Sequence, residues 1–301
     1  MYGTAVASHT RYMLRLGSRA AASLSRGHTA LAARPALGRA RPWASAAATT
    51  AEMARTGPKA ASIVIGNEVL NGSIQDTNTV WLAKMLYSRG VDLARVEMIP
   101  DIKEDIVSTI KRLKEVVGED GFIFTSGGIG PTHDDITYES IAAAFGEELE
   151  LHAPTVAKME AHYGAQGKEL NAARLRMATI PRGAEVLDTP EIWVPLVNMR
   201  GVYILPGIPR LFQGMLGAHK ERFTGPQFHM EVVYTKQGEG EIADVLTAVA
   251  KDFPEVNIGS YPNVGADQGA FTTKLSFESR DTAKLEGAVA AVEAGVQTFR
   301  M

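Results

Sequence analysis

From residue 60 onward, short unbroken apolar runs alternate with longer stretches whose apolar residues recur every three or four positions. "AASIVIG" (60–66) is continuous and β-branched, the pattern of a strand buried on both faces of a parallel sheet. A polar loop, "NEVLNGSIQDTN" (67–78), follows. "TNTVWLAKMLYSRG" (77–90) then sets Trp81, Leu82, Met85 and Leu86 on one helical face and stops at Gly90. "VDLARVEMIP" (91–100) alternates as a strand. Ile102, Ile106, Ile110 and Leu113 repeat at helical spacing, "GFIFTS" (121–126) is the next strand, and "ITYESIAAAFG" (136–146) is the next helix. This order predicts an α/β domain with a parallel sheet and helices on its faces.

Residues 150–200 are less regular, with two short helices expected near 154–163 and 170–178. "GVYILPGIP" (201–209) runs as a strand into a Pro-Gly turn, and a helix follows. From 227 the order becomes strand, helix, strand, strand, helix, which predicts a small α+β, ferredoxin-like subdomain. The expected boundaries are 58–224 and 227–298.

Composition changes the picture mainly at the start. Residues 1–51 hold seven arginines and no Asp, Glu or Lys, amid many Ala and Ser. That composition suits an organelle transit peptide over 1–52, mitochondrial or alternatively plastid, or else a basic arm that binds acidic surfaces. The remaining 24 basic against 34 acidic residues make an acidic body, which argues against nucleic acid as a partner. No apolar run approaches the roughly 18–20 residues of a membrane-spanning helix, so no membrane partner is expected. With no cysteine, chemistry falls to oxygen, imidazole and ammonium groups.

The candidate chemistry lies in "FTSGGIGPTHDDITYES" (124–140), which joins a strand's carboxyl end to a helix, the place where open α/β sheets bind ligands. Gly127, Gly128 and Gly130 let backbone amides approach an anion, although neither standard nucleotide-loop template fits. Asp134 and Asp135 beside such a cradle would repel phosphate unless a divalent cation lay between. Asp135 alone is equally a helix cap. Glu68, Asp76 and Asn78 belong to the loop after the first strand and should share the same rim. Their plainer readings are a solvated side chain, an N-cap and a turn residue. His133 could join acid–base work or be merely solvated. Trp193 and Tyr261 read as packing residues, or as rings on which a base could stack.

"GNEVLNGSIQDTNTVWLAKML", "FTSGGIGPTHDDITYESIAAAFG" and "VYILPGIPRLF" resemble, in order and spacing, the molybdopterin-binding domain superfamily. The likeness is to its branch shared by CinA-type proteins and the N-terminal part of eukaryotic FAD synthases. "IWVPLVNMRGVYILPGIPRLF", "QFHMEV" and "IGSYP" look more like the FAD synthase side, and the G-T-A-P-G stretch of CinA-type proteins is replaced by "EIWVPLVN". The resemblance implies a three-layer αβα sandwich and a metal-dependent nucleotide pyrophosphatase acting on FAD or ADP-ribose. The alternatives are molybdopterin binding with adenylyl transfer, or a non-catalytic nucleotide-binding module. It implies Asp135, Asp134 and Asp76 as catalytic residues, and Asp135, Asp76 and Glu68 as metal ligands. Gly127, Gly128, Gly130, Thr132, Asn78, Pro206 and Gly207 would contact substrate. The cofactor would be Mg2+, Mn2+ or Co2+, with K+ as an optional second ion. The partners would be a nucleotide or pterin and, in a homo-oligomer, further copies of the chain. The adenylyltransferase part of a full FAD synthase is not among these residues, so FAD synthesis is not expected of them.

Overall fold

The computed structural model describes residues 57–265 and 269–301; the expected transit peptide lies outside the described residues. The larger sheet starts with β1 (Lys59–Ile65), whose residues after Lys59 are all buried, as the β-branched run predicts. A short helix α1 (Asn67–Leu70) stands inside the stretch read as loop, and α2 (Asn78–Ser88) leads to β2 (Asp92–Ile99). Then come α3 (Lys103–Val117), β3 (Phe122–Ser126) and α4 (Thr137–Phe145). Gly118 and Gly146 end these two helices at positive φ, the second in the left-handed region (φ 70°).

The irregular middle contains β4 (Leu149–Leu151), α5 (Ala153–Gly164), α6 (Ala172–Leu175) and β5 (Thr179–Pro181), with β4 and β5 paired as a separate ribbon. A hairpin, β6 (Glu185–Thr189) and β7 (Ile192–Met199), returns to the main sheet, and β8 (Val202–Leu205) and α7 (Pro209–Ala218) complete it. The strand order is β2-β1-β3-β8-β7-β6, parallel from β2 to β8 and antiparallel at β7 and β6.

Period-two alternation splits the buried side chains between two cores. Ile63, Ile65, Ile123 and Ile204 face α3 and α4 with Ile106, Ile110, Leu113 and Ile141. Phe124, Tyr203 and Leu205 face α2 and α7 with Leu82, Leu86, Phe212 and Met215. The result is a three-layer αβα sandwich.

The C-terminal part has its own core, from Val233 to Val296. It runs β9 (His229–Thr235), α8 (Glu239–Asp252), β10 (Asn257–Pro262), β11 (Thr273–Ser279), α9 (Thr282–Gly295) and β12 (Thr298–Phe299). Its antiparallel sheet, in the order β10-β11-β9-β12, is the split βαβ arrangement of a ferredoxin-like unit. The closing strand β12 was hidden in the sequence because only two residues pair, Thr298 with Thr235 and Phe299 with Tyr234. Among the described residues no helix is long and apolar enough to cross a membrane.

Candidate functional site

The chain leaves β1 toward β2 on one side, then returns to place β3 on the other side of β1. This reversal opens a crevice between the carboxyl ends of β1 and β3. Both loops singled out in the sequence start there. The crevice is a cavity of about 580 Å3, within the range of small-molecule sites.

The glycine turn is close-packed. Gly127 (φ 114°) donates its amide to Leu205 O at 3.0 Å, and a Cβ there would collide with Ile65 O. Gly128 (φ 67°) leaves no room for a Cβ beside the Thr137 hydroxyl, which donates to Gly127 O at 2.9 Å. The Thr137 amide donates to Gly128 O at 2.9 Å. A Cβ on Gly130 would come within 2.6 Å of the Asp135 carboxylate. Among the described residues, the Gly128, Ile129 and Gly130 amides donate to no protein acceptor, so the turn keeps free N–H groups on the cavity wall.

Asp135 is half-buried and lines the cavity. Its Oδ2 accepts from the Thr132 amide at 2.8 Å and the Thr132 hydroxyl at 2.5 Å. It does not cap α4, which begins after Ile136 without a side-chain cap. Arg176, from the turn that follows α6, reaches the Asp135 carbonyl at 3.1 Å. Thr132 is thus occupied in orienting Asp135. Asp134 and Thr132 are exposed and lie off the cavity wall, and His133 is 98% exposed.

On the other loop, Asp76 lines the cavity and accepts from Thr79 N at 3.1 Å, so it acts as a cap and also faces the site. Glu68 also lines it. Asn78 is buried; its Nδ2 donates to Ser126 Oγ at 3.0 Å and Gly207 O at 2.9 Å, tying the ends of β3 and β8 together. Its Oδ1 is buried without a protein partner. Pro206 and Gly207 close the floor.

The structure adds two features the sequence reading did not give, although that reading named Trp193 as packing or as a ring on which a base could stack. Asp101, at the end of β2, accepts from the Asn67 amide at 3.0 Å and its Nδ2 at 3.1 Å. Burial pushes its carboxyl above the ordinary carboxylate range, and the charges of Glu68 and Asp134 push the same way, against the Asn67 hydrogen bond. The "IPD" that follows an alternating strand was the available signal. The second is an apolar wall of Tyr163, Met177, Trp193 and Val194, supplied by the stretch whose pattern was least legible.

Electrically the cavity is one-sided. Glu68, Asp76 and Asp135 face it, and among the described residues no Lys, Arg or His side chain lines it. A phosphate entering there would meet three carboxylates. An all-oxygen donor set fits a hard divalent cation. Among the described residues, no three acidic or imidazole groups stand close enough to cage an ion alone, so a cation would have to complete its shell from the ligand's phosphates.

Residues 61–223 match the family described as "Probable molybdopterin binding domain", and residues 227–299 match "FAD synthase, middle domain". A protein of Archaeoglobus fulgidus is 31% identical over 231 residues, 77% of this chain and 95% of that one. A probable FAD synthase of Caenorhabditis elegans is 32% identical over 262 residues, 77% of this chain and 49% of that protein, so the chain spans about half of it. The solved structure of a CinA protein from Thermoplasma acidophilum is 29% identical, covering 55% of this chain and 98% of that one with a TM-score of 0.49.

Proposed function

Because this chain belongs to the molybdopterin-binding domain family and carries a FAD synthase middle domain behind it, we propose that its cavity binds a nucleotide and hydrolyses its pyrophosphate bond. The substrate is FAD or a related dinucleotide such as ADP-ribose. The supporting observation is the pairing of three cavity-facing carboxylates with free amides on a glycine turn, with no basic side chain on the cavity wall among the described residues.

In this reading the Gly128–Gly130 amides bind one phosphate and stabilise charge developing on it. Asp135, held by Thr132, and Asp76, held by Thr79, keep fixed orientations through those bonds. Asp134 adds negative charge at the rim. Water adds to one phosphorus, the bridging P–O bond breaks, and two monophosphates leave. Asp135, Asp76 or Glu68 would hold Mg2+, Mn2+ or Co2+ only together with the substrate's phosphates, and the metal when bound would neutralise the anhydride and activate water; K+ would be an additional ion. The Arg-rich first 51 residues support delivery to a mitochondrion, with a plastid as the alternative, and the chain acts as a homo-oligomer.

Incubating the purified full chain with FAD or ADP-ribose and each metal should release a nucleoside monophosphate. Asp135→Asn should retain ligand binding while losing at least about a hundredfold in turnover. Absence of product under every metal, with tight retention of molybdopterin, would replace hydrolysis by a pterin-handling role.

A further inference from the structure

We propose that Trp193 is a specificity-determining residue: its indole face stacks on a flat heteroaromatic ring carried by the ligand, while the phosphates lie at the glycine turn. This rests on the nucleotide reading above and names the part of the substrate that reading leaves open.

Val197 pairs with Ile204, so Leu196 lies opposite Leu205, the last residue of β8. Residues 192–195 of β7 therefore continue beyond the carboxyl edge of the sheet. They rise about 10 Å above it at the usual strand rise and form an upright wall beside the Pro206–Gly207 turn. In the strand order β1-β3-β8-β7, this wall stands two strands from the glycine turn, again about 10 Å at normal strand spacing. A ligand lying along the edge would meet amides and carboxylates at one end and this wall at the other.

Trp193 is poorly explained as a packing residue. Its neighbours Ile192 and Val194 pack against the core, whereas Trp193 itself is half-buried and belongs to neither core of the large domain. Its ring neighbours, His162 at 5.6 Å and Tyr163 at 5.8 Å, are tilted by 37° and 59°, so neither is stacked on it. Arg174, 4.5 Å above the Tyr163 ring, braces that partner. Among the described residues the indole N–H donates to no protein acceptor.

The test is equilibrium binding of FAD, FMN, AMP and inorganic pyrophosphate to the full chain, with Mg2+ present, in the natural protein, Trp193→Ala and Trp193→Phe, each also carrying Asp135→Asn when FAD is the ligand so that FAD is bound and not turned over. Stacking predicts that Trp193→Ala weakens FAD about tenfold or more, that Trp193→Phe restores most of it, and that pyrophosphate is unaffected. FMN and AMP show which ring takes the wall. The proposal is overturned if Trp193→Ala leaves FAD, FMN and AMP unchanged, if it weakens pyrophosphate equally, or if none of the ring ligands binds the natural protein. Ring-dependent binding without hydrolysis would leave this inference standing and remove the hydrolase reading instead.

Discussion

At Gly128 the backbone sits at φ 67° and a Cβ would enter the space of the Thr137 hydroxyl. Strain and clash act together, so Gly128→Ala should cost about 1–3 kcal/mol and lower the thermal midpoint, while Gly72→Ala, open on all sides but also at positive φ, should cost less. Equal losses would mean that the collision contributes nothing. Asp101 supplies a pH-dependent prediction. A carboxyl whose folded value is raised holds its proton more tightly in the native state, so the stability it contributes is complete below the unfolded value and lost as pH rises through the folded one. Asp101→Asn keeps an acceptor for Asn67 and removes the like charge beside Glu68 and Asp134. Urea midpoints should therefore shift in favour of the variant between about pH 4 and pH 7; a constant difference across that range would sink the assignment. These residue-level properties were only half legible. Gly-Gly-x-Gly before two aspartates announces a turn near an anion. That Thr132 holds Asp135, or that Asn78 ties two strand ends, depends on side chains brought together by the fold.

At the scale of elements, periodicity was a good guide where one face of a helix is buried. Ile106, Ile110, Leu113 and Val117 of α3 are all buried against the sheet. Ile110→Ala should cost about 2–5 kcal/mol in chemical denaturation, whereas Lys111→Ala on the exposed face should stay within about 0.5 kcal/mol. Comparable effects would contradict the packing described for α3. Within residues 149–199 the two short helices expected near 154–163 and 170–178 are present as α5 and α6, but the strands escaped the pattern, because β4, β5 and the β6–β7 hairpin are short, partly exposed or paired antiparallel at a sheet edge. Such segments take their conformation from partners distant in sequence, and local pattern carries little of that information.

On the scale of the whole molecule, a cluster built around one arginine joins the two sheets' domains. Arg280, from the end of β11, is 8% exposed. Its guanidinium donates to Gly90 O at 2.9 Å, to Pro226 O and to Asp92 Oδ2 at 3.1 Å, and lies 4.0 Å over the Phe228 ring. Phe228 stacks in turn on Tyr87 of α2 at 4.9 Å. Arg280→Met fills similar volume but leaves Asp92 and two carbonyls without this donor. It should cost about 2–4 kcal/mol, read as a lower urea midpoint. Calorimetry should then show the C-terminal unit melting separately. A single transition at the natural temperature would show that other contacts hold the domains together.

The order of strands and helices, the glycine turn at a strand end and the acidic pair beside it were determined by the sequence alone, because burial periodicity and backbone sterics act within a few residues. The tertiary structure decided which loops meet. It brought Glu68, Asp76 and Asp135 to one cavity, set Asp101 near Glu68 without placing it on the cavity wall, and raised Trp193 on an antiparallel hairpin above the sheet's edge. Those groups are tens of residues apart along the chain, and what places them together is strand order and register, set by the packing of the whole sheet.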